Sequence, residues 1–257
     1  MRKVGLLVLA LSLGACASGG SLKAQNWGSP YDGRAYAATA YSYGYPRTTT
    51  AYTYGYPRSH DTPPEESRGE VSASLEAEVL AEINRVRMHP QHYAERLRTY
   101  RAYYHGDVVR APGDEVGVRT REGVAALDEA IADVEHRRPL RPLVANSHLH
   151  ASAARLAEEE GPTGAVGHVG SDGLTPGQRM REAGAWAGIT EENISYGQAT
   201  AAAVVRQLII DDGVPGRGHR SSIFEPGLSA AGVKCGPHVR YGYMCVLDFA
   251  GAMVARR

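Results

Sequence analysis

A tyrosine-rich repeat limits where this chain of 257 residues can fold. The segments TAYSYGYPR (residues 39–47) and TAYTYGYPR (residues 50–58) are nearly identical, and DTPPEES comes shortly after them. Residues 17–70 show neither a helical nor a strand period and contain few aliphatic side chains, so they cannot bury enough surface to offset the entropy lost on ordering. We therefore predict a tether over residues 17–70 and a folded domain over residues 71–257. An alternative role for the tether is stacking on envelope glycans, through Tyr41, Tyr43, Tyr45, Tyr52, Tyr54 and Tyr56.

The N-terminus indicates export. Arg2 and Lys3 precede an apolar run at residues 4–13, which is too short to span a hydrocarbon core of about 30 Å but suits a signal peptide. The next segment, LGAC, resembles the lipobox of bacterial lipoproteins, in which the cysteine becomes the acylated first residue. We predict a lipoprotein signal peptide over residues 1–16 and lipidation of Cys16. A plain secretory signal with an incidental cysteine is the alternative.

Lipidation would place the protein in the bacterial cell envelope. Ala17 follows the cysteine, whereas an aspartate there would favour retention in the inner membrane. We therefore expect an anchor in outer-membrane lipid, with the protein facing the periplasm or the cell surface. Several acyl chains are enough for such an anchor, whereas a single chain binds only marginally.

The charge balance argues against nucleic acid as a partner. Lys and Arg together number 28, as do Asp and Glu, so the chain has no net basic field. Its 43% hydrophobic and 22% charged residues form an ordinary globular composition, with enough apolar side chains for a sizeable core.

Hydrophobic spacing predicts several helices after residue 70. Leu75, Val79, Ile83 and Val86 recur at helical intervals, and Pro90 interrupts the run. Further helices are predicted at residues 121–138, at residues 146–160 with Asn146 or Ser147 as the N-cap and Gly161 beyond the C-terminus, near residues 175–183, and in the apolar run that ends at Ile210.

Two strand-like runs, LSAAGVKC and YGYMCVLDFAG, close the chain. The polar residues 101–119, punctuated by Gly and Pro, predict a surface excursion. Helices that flank a few antiparallel strands indicate an α+β fold.

Common catalytic signatures are absent from the sequence. There is no H-E-x-x-H, G-x-S-x-G or G-x-x-x-x-G-K-[ST], which removes the simplest support for a zincin protease, an α/β-hydrolase or a P-loop enzyme. The remaining candidates lie in three loops: His168 in GHVGSDG, Glu192 in EENISYG, and Asp211 with His219 in DDGVPGRGHRSSIF. Each of them alone has an ordinary structural explanation, as a surface histidine, a cap or a helix end.

Together these segments resemble the CAP superfamily, which comprises the cysteine-rich secretory, antigen 5 and pathogenesis-related proteins. The resemblance covers about residues 71–251 and includes INRVRMHPQHYA, REGVAALDEA and YGYMCVLDFAG. It implies a three-layer α-β-α sandwich with a central antiparallel sheet. It also implies a solvent-open cleft surrounded by His168, Glu192, Asp211 and His219.

Such a cleft would suit a divalent metal ion. Two neutral imidazoles with one or two carboxylates and an open position suit Zn²⁺, whereas added water and carbonyl ligands would suit Ca²⁺ or Mg²⁺. Affinity would fall as the pH drops below about 6.5, where imidazoles protonate. Asp211 is one methylene shorter than the glutamate that the family often has there, so Asp212 is an alternative ligand.

Three functions follow from these residues. The favoured one is a binding module whose cleft holds a metal, peptide, lipid or cell-wall fragment without turnover. The second is a metal-dependent hydrolase with Glu192 as general base on a metal-bound water. Ser221 and Ser222 follow His219, but HRSS is more typical of a helix start than of a catalytic triad. The third function is a purely structural tether in the envelope, so whether the protein is an enzyme stays open.

Cys235 and Cys245 are predicted to form a disulfide. If the closing strands form a hairpin around Arg240, the two cysteines lie opposite each other, where a non-hydrogen-bonded pair can be bridged. An oxidising periplasm would favour the bond. The alternative is a pair of buried free thiols, separated onto opposite faces by a bulge near Gly236 or Gly242.

Overall fold

The computed structural model describes residues 65–112 and 117–253. The predicted signal peptide, Cys16 and most of the predicted tether lie outside these residues, and the domain boundaries stay a prediction. The described helices are α1 (Glu65–Met88), α2 (Pro90–Tyr100), α3 (Val124–His136), α4 (Ser147–Thr163), α5 (Pro176–Glu182), α6 (Ala201–Ile210) and α7 (Gly218–Ile223). The described strands are β1 (Tyr104–His105), β2 (Val108–Val109), β3 (Val118–Arg119), β4 (Val144–Ala145), β5 (Thr190–Tyr196), β6 (Ala230–His238) and β7 (Gly242–Ala250). None of these helices is long and apolar enough to cross a membrane.

The main sheet has the strand order β4-β6-β7-β5. Strand β7 pairs antiparallel with both β6 and β5, and the short β4 adds a parallel pairing to β6. One face of the sheet packs against α1 and α6, and α2 and α3 extend the same core, while the other face packs against α4 and α5. The structure therefore confirms the predicted α+β fold with three α-β-α layers, and β5 lies at the edge of its sheet.

The predicted helical stripe of α1 forms part of the core. Leu75, Val79, Ile83 and Val86 are all buried, and they pack with Leu247 and Phe249 of β7 among other residues. After α2, a 3-10 turn (Arg101–Tyr103) leads into the small sheet β1-β2-β3. Most described residues of this predicted excursion are exposed or half-buried.

The closing strands form the predicted hairpin. Cys235 lies opposite Cys245, and a disulfide joins them. Their Cα atoms are 4.1 Å apart, close to the spacing of a non-hydrogen-bonded pair. The backbone N–H of Cys235 donates to Glu76 at 3.2 Å. The alternative with a bulge is wrong, because the register continues unbroken through residues 230–238 and 242–250.

Helix α4 lies directly on strand β6. A Cβ atom on Gly232 would lie 2.0 Å from the backbone nitrogen of His150, so only glycine permits this approach. The predicted N-cap is confirmed, since the side chain of Asn146 accepts from the backbone N–H groups of His148 and Leu149.

The predicted C-terminus of α4 is wrong. The helix continues through Gly161 to Thr163, and Gly164 ends it in the left-handed conformation at φ 71°. Gly161 is needed for packing instead, because a Cβ atom there would lie 2.6 Å from the carbonyl oxygen of Pro237.

A buried arginine in α1 joins distant parts of the chain. The guanidinium of Arg87, which is 0% exposed, donates to four backbone carbonyls, those of Arg141, Ile223, Glu225 and Leu228. Burial lowers the pKa of Arg87, although the charge of Glu225 opposes this. One turn earlier, the side chain of Asn84 donates to and accepts from the backbone of Leu143.

We expect Arg87→Met to destabilise the protein by about 3 kcal/mol or more, because it leaves several buried carbonyl oxygens without a donor. The free energy of unfolding in urea measures the effect. Arg85→Met in the same helix is the matched control. Arg85 is half-exposed and pairs with Glu82, which keeps Arg96 as a second partner, so this change should cost at most about 1 kcal/mol. Equal losses in the two variants would contradict the role given to Arg87.

Candidate functional site

The candidate site is built around two consecutive residues of edge strand β5. Glu192 lies opposite Asp248 on the sheet face that packs against α4, and Asn193 lies opposite Leu247 on the other face. Both side chains are buried. The amide of Asn193 donates to the backbone carbonyl of His219 at 3.0 Å, so one strand contacts both segments that carry the predicted histidines.

The first pair of the site is His168 with Glu192. The Nδ1 atom of His168 lies 2.8 Å from Oε1 of Glu192, and the buried guanidinium of Arg179 binds Oε2. Arg179 also donates to the backbone carbonyl of His168 at 2.7 Å and to that of Leu174 at 3.1 Å. Arg179 therefore fixes both the carboxylate and the loop that presents the histidine.

The loop before His168 is held at two further points. The backbone N–H of Gly167 donates to the hydroxyl of Tyr196 at 3.1 Å. The Nε2 atom of His238 lies 2.9 Å from the carbonyl oxygen of Ala165. These contacts join the loop to β5 and β6, so it rests on the sheet.

The second pair is His219 with Asp211. The Nδ1 atom of His219 lies 2.6 Å from Oδ1 of Asp211, while Oδ2 accepts from the backbone N–H groups of His219 and Arg220 at 2.9 and 3.3 Å. Asp211 ends helix α6 in the left-handed conformation, at φ 58°. Its short side chain therefore reaches His219, although the sequence left this reach in doubt.

Arginines on both sides of His219 fasten its segment to helix α3. Arg217 donates to Glu122 and Glu129, and Arg220 donates to Glu129 and to the carbonyl oxygen of Ile209. Arg217 also binds the carbonyl oxygen of Asp211 at 2.9 Å. Charged hydrogen bonds thus hold residues 211–217, the Gly- and Pro-rich segment between α6 and α7.

Glu192 and the neighbouring Asp248 differ in their ionisation. Burial acts to raise the pKa of Glu192, but the hydrogen bond from His168 and the charge of Arg179 outweigh it and lower that pKa. Burial and the neighbouring charge of Glu192 raise the pKa of Asp248 well above its ordinary value. Asp248 is 0% exposed, and hydrogen bonding to Glu192 adds to the rise in its pKa, whereas hydrogen bonding from Ser152 opposes it. We infer that Glu192 is ionised and that Asp248, opposite it on the next strand, is neutral.

A third acid, Glu160, lies near this cluster. It is buried at the end of α4 and accepts a hydrogen bond from the hydroxyl of Tyr196 at 2.7 Å. Burial raises its pKa to about 7, the hydrogen bond from Tyr196 opposes the rise, and the charge of Glu192 adds to it.

Other sequence candidates have local structural roles. Asp212 accepts from the backbone N–H groups of Arg121 and Glu122 at 2.7 and 2.8 Å, so it holds the segment before α3. Ser222 donates to Gly218 within α7 and is buried. The HRSS segment lies in a helix, as its sequence favours.

The arrangement fits a metal held by imidazole nitrogen better than one held by carboxylates. The carboxylate oxygens of both Glu192 and Asp211 already accept hydrogen bonds from protein donors. Within residues 65–112 and 117–253, no group of three or more His, Cys, Asp or Glu residues is placed to hold an ion. A histidine that donates Nδ1–H to a carboxylate, however, carries its lone pair on Nε2, as metal-ligating histidines commonly do.

Four residues near the first pair were not predicted from the sequence: Arg179, Asp248, Glu160 and Tyr196. Asp248 had a usable signal, because an acid in the apolar strand VLDFA must be buried among non-polar neighbours. Arg179 had none, since an arginine in PGQRMRE is indistinguishable from a solvated helix residue.

A family model and two solved structures are similar to parts of this chain. A sequence model described as "Cysteine-rich secretory protein family" (CAP) matches residues 80–249. Among solved structures, an extracellular protein containing an SCP domain from Bacillus anthracis str. Ames has 16% identity and a TM-score of 0.38, and the alignment covers 44% of this chain and 35% of that chain. An outer surface protein from Borrelia burgdorferi has 20% identity and a TM-score of 0.38, with 45% of this chain and 80% of that chain covered. No curated protein matches significantly.

We expect Glu160 to make the folded protein less stable as the pH rises. Because its folded pKa of about 7 lies above the ordinary value of 4.5, the folded state holds this proton more tightly than the unfolded chain does. Its contribution is fully present below about pH 4.5 and is lost as the pH rises through about 7. Glu160→Gln should flatten the fall in stability, measured by urea denaturation at a series of pH values. The exposed Glu158→Gln should leave the wild-type profile unchanged. A parallel profile for Glu160→Gln would refute the assignment.

Proposed function

This chain belongs to the cysteine-rich secretory protein (CAP) family, and on that premise we propose that it is a binding module of the bacterial cell envelope. Its cleft, defined by His168, Glu192, Asp211 and His219, holds a divalent metal ion, an envelope ligand, or both. The envelope ligand is a peptide, a lipid or a cell-wall fragment.

One observation carries this proposal: each of two histidines has its Nδ1 atom against a buried carboxylate. The distances are 2.8 Å for His168 and Glu192 and 2.6 Å for His219 and Asp211. Such acids fix the ring orientation and raise the basicity of the other ring nitrogen. In this proposal the histidines are the ligands, and Glu192 and Asp211 orient them.

The donor set favours zinc over calcium or magnesium. Imidazole nitrogen suits Zn²⁺, whereas Ca²⁺ and Mg²⁺ require several oxygen ligands. The carboxylate oxygens that would supply them accept hydrogen bonds from His168, Arg179, His219 and Arg220 instead. A bound zinc ion would offer a Lewis-acidic position to an oxygen atom of an envelope ligand.

Hydrolysis is less well supported than binding. A general base must reach the proton that it removes, and it works best with a pKa near the operating pH. Glu192 is buried, binds Arg179 and His168 with its two oxygens, and has a lowered pKa. A purely structural tether would not need the paired histidines.

The location in the envelope is also part of the proposal. It is supported by the lipobox-like LGAC segment, by the disulfide between Cys235 and Cys245, and by family membership. Acylated Cys16 would bind outer-membrane lipid and leave the domain free to meet ligands.

We expect His219→Ala to lower Zn²⁺ affinity at least about tenfold, because one of two imidazole ligands is lost. Asp211 keeps the backbone N–H of Arg220 as a donor, so the melting temperature without metal should change by only a few degrees. Isothermal titration calorimetry measures the affinity. His136→Ala is the control, since this exposed histidine lies on α3 outside the site. Unchanged zinc affinity in His219→Ala would remove the metal site.

We expect Cys16→Ala to move the protein from the membrane fraction to the soluble periplasm, because the acylated residue is lost. Fractionation and immunoblotting of cells that express the full chain measure this shift. Ser18→Ala, just past the lipobox, should leave the distribution unchanged. Membrane retention of Cys16→Ala would contradict a lipid anchor.

A further inference from the structure

A small groove lies between helix α2, the 3-10 turn that follows it, and helix α6. Its volume is about 120 Å³, enough for a small polar head with a few attached carbon atoms. Tyr93 and Leu97 are its buried floor. Its sides include Arg96, Tyr100, Tyr103 and Arg206. None of these residues belongs to the histidine cleft.

Arg206 brings an uncompensated charge to this groove. Its guanidinium carbon lies 3.9 Å from the ring centroid of Tyr100, an arrangement in which the cation stacks on the aromatic face. A guanidinium has five N–H donors. Across residues 65–112 and 117–253, no hydrogen bond or ion pair joins these donors to an acceptor. A stacked guanidinium keeps its edge available, and this edge matches the two oxygens of a carboxylate.

The surroundings of Arg206 add to the positive charge. Arg85 and Arg96 both pair with the same carboxylate, that of the buried Glu82, so one negative charge serves two arginines. The positive charge of these arginines also acts on Tyr93 in the floor of the groove. Burial raises the pKa of Tyr93 to about 12, and the charges of Arg206, Arg96 and Arg85 each oppose that rise. Three arginines thus act on the buried Tyr93.

From this charge and shape we propose that the groove binds the carboxylate group of an organic acid, with Arg206 as the principal contact. The apolar body of the acid would lie against Leu97 and the edge of Tyr103. The site lies at the C-terminal end of α2, where the helix carries a partial negative charge. That partial charge opposes any anion, and it opposes a doubly charged phosphate more than a singly charged carboxylate. The proposal is independent of the metal-binding function.

A matched pair of probes tests the role of the charge. N-acetylphenylalanine carries a carboxylate, and N-acetylphenylalaninamide has the same body without it. Both are titrated into the full chain carrying Cys16→Ala, with EDTA present so that metal binding plays no part. We expect the acid to bind with a Kd of roughly 1 mM, and the amide to bind at least about tenfold more weakly, by chemical shift changes in NMR.

Variants then locate the site. Arg206→Met keeps an aliphatic chain over Tyr100 and should weaken binding of the acid at least about fivefold. Arg101→Met is the control, because Arg101 lies just beyond α2 and binds both oxygens of Asp128, outside the groove. It should change the affinity less than about twofold. Arg206→Lys, which keeps the charge but loses the planar fork, should bind with intermediate affinity. It provides the test if Arg206→Met does not fold.

Several results would overturn the carboxylate site. They are equal binding of the acid and the amide, unchanged affinity in Arg206→Met or Arg206→Lys, and equal weakening in Arg101→Met. Tighter binding of inorganic phosphate than of N-acetylphenylalanine would likewise overturn the assignment to a carboxylate. Loss of zinc binding in His219→Ala has no bearing on any of these outcomes.

Discussion

The arrangement of the whole domain depends on the buried guanidinium of Arg87. Burying a guanidinium is costly unless its N–H groups form hydrogen bonds. Those of Arg87 donate to the backbone carbonyls of Arg141, Ile223, Glu225 and Leu228. The bound carbonyls include that of Ile223, at the end of α7, and that of Leu228, just before β6. Arg87 therefore joins the end of α7 and the segment before the central hairpin to α1.

The histidine site depends on this framework. His219 lies in α7, and Arg87 binds the end of this helix. The backbone carbonyl of His219 accepts a hydrogen bond from Asn193 of β5. The same strand supplies Glu192, which is buried and must be compensated, so Arg179 and His168 gather around it. Each histidine is thus oriented by its contact with a buried carboxylate. The contacts that compensate the buried acids therefore also fix the orientation of both imidazole rings.

Much of the fold could be predicted from local sequence patterns, because these patterns reflect contacts between residues that are close together in the chain. The α1 stripe is a periodicity within one helix, and the N-cap at Asn146 is a contact between neighbours. The pairing of Cys235 with Cys245 follows from the symmetry of a hairpin. Gly161 is an exception, because the glycine lies within α4 and does not end it. Close packing against Pro237, which no local pattern reveals, is what requires it.

The sequence alone selected two histidines and two acids as candidate site residues, through motifs whose order resembles the CAP family, and it determined the helical stripe and the disulfide. Only the tertiary structure decided which acid meets which histidine, and that Arg179, Asp248 and Glu160 surround the first pair. It alone placed the guanidinium of Arg206 over the ring of Tyr100. It also brought Arg87 to the backbone carbonyl of Leu228, which is 141 positions away along the chain. The physical reason is that burial and charge pairing depend on residues brought together by packing, and their separation along the chain carries no trace of that proximity.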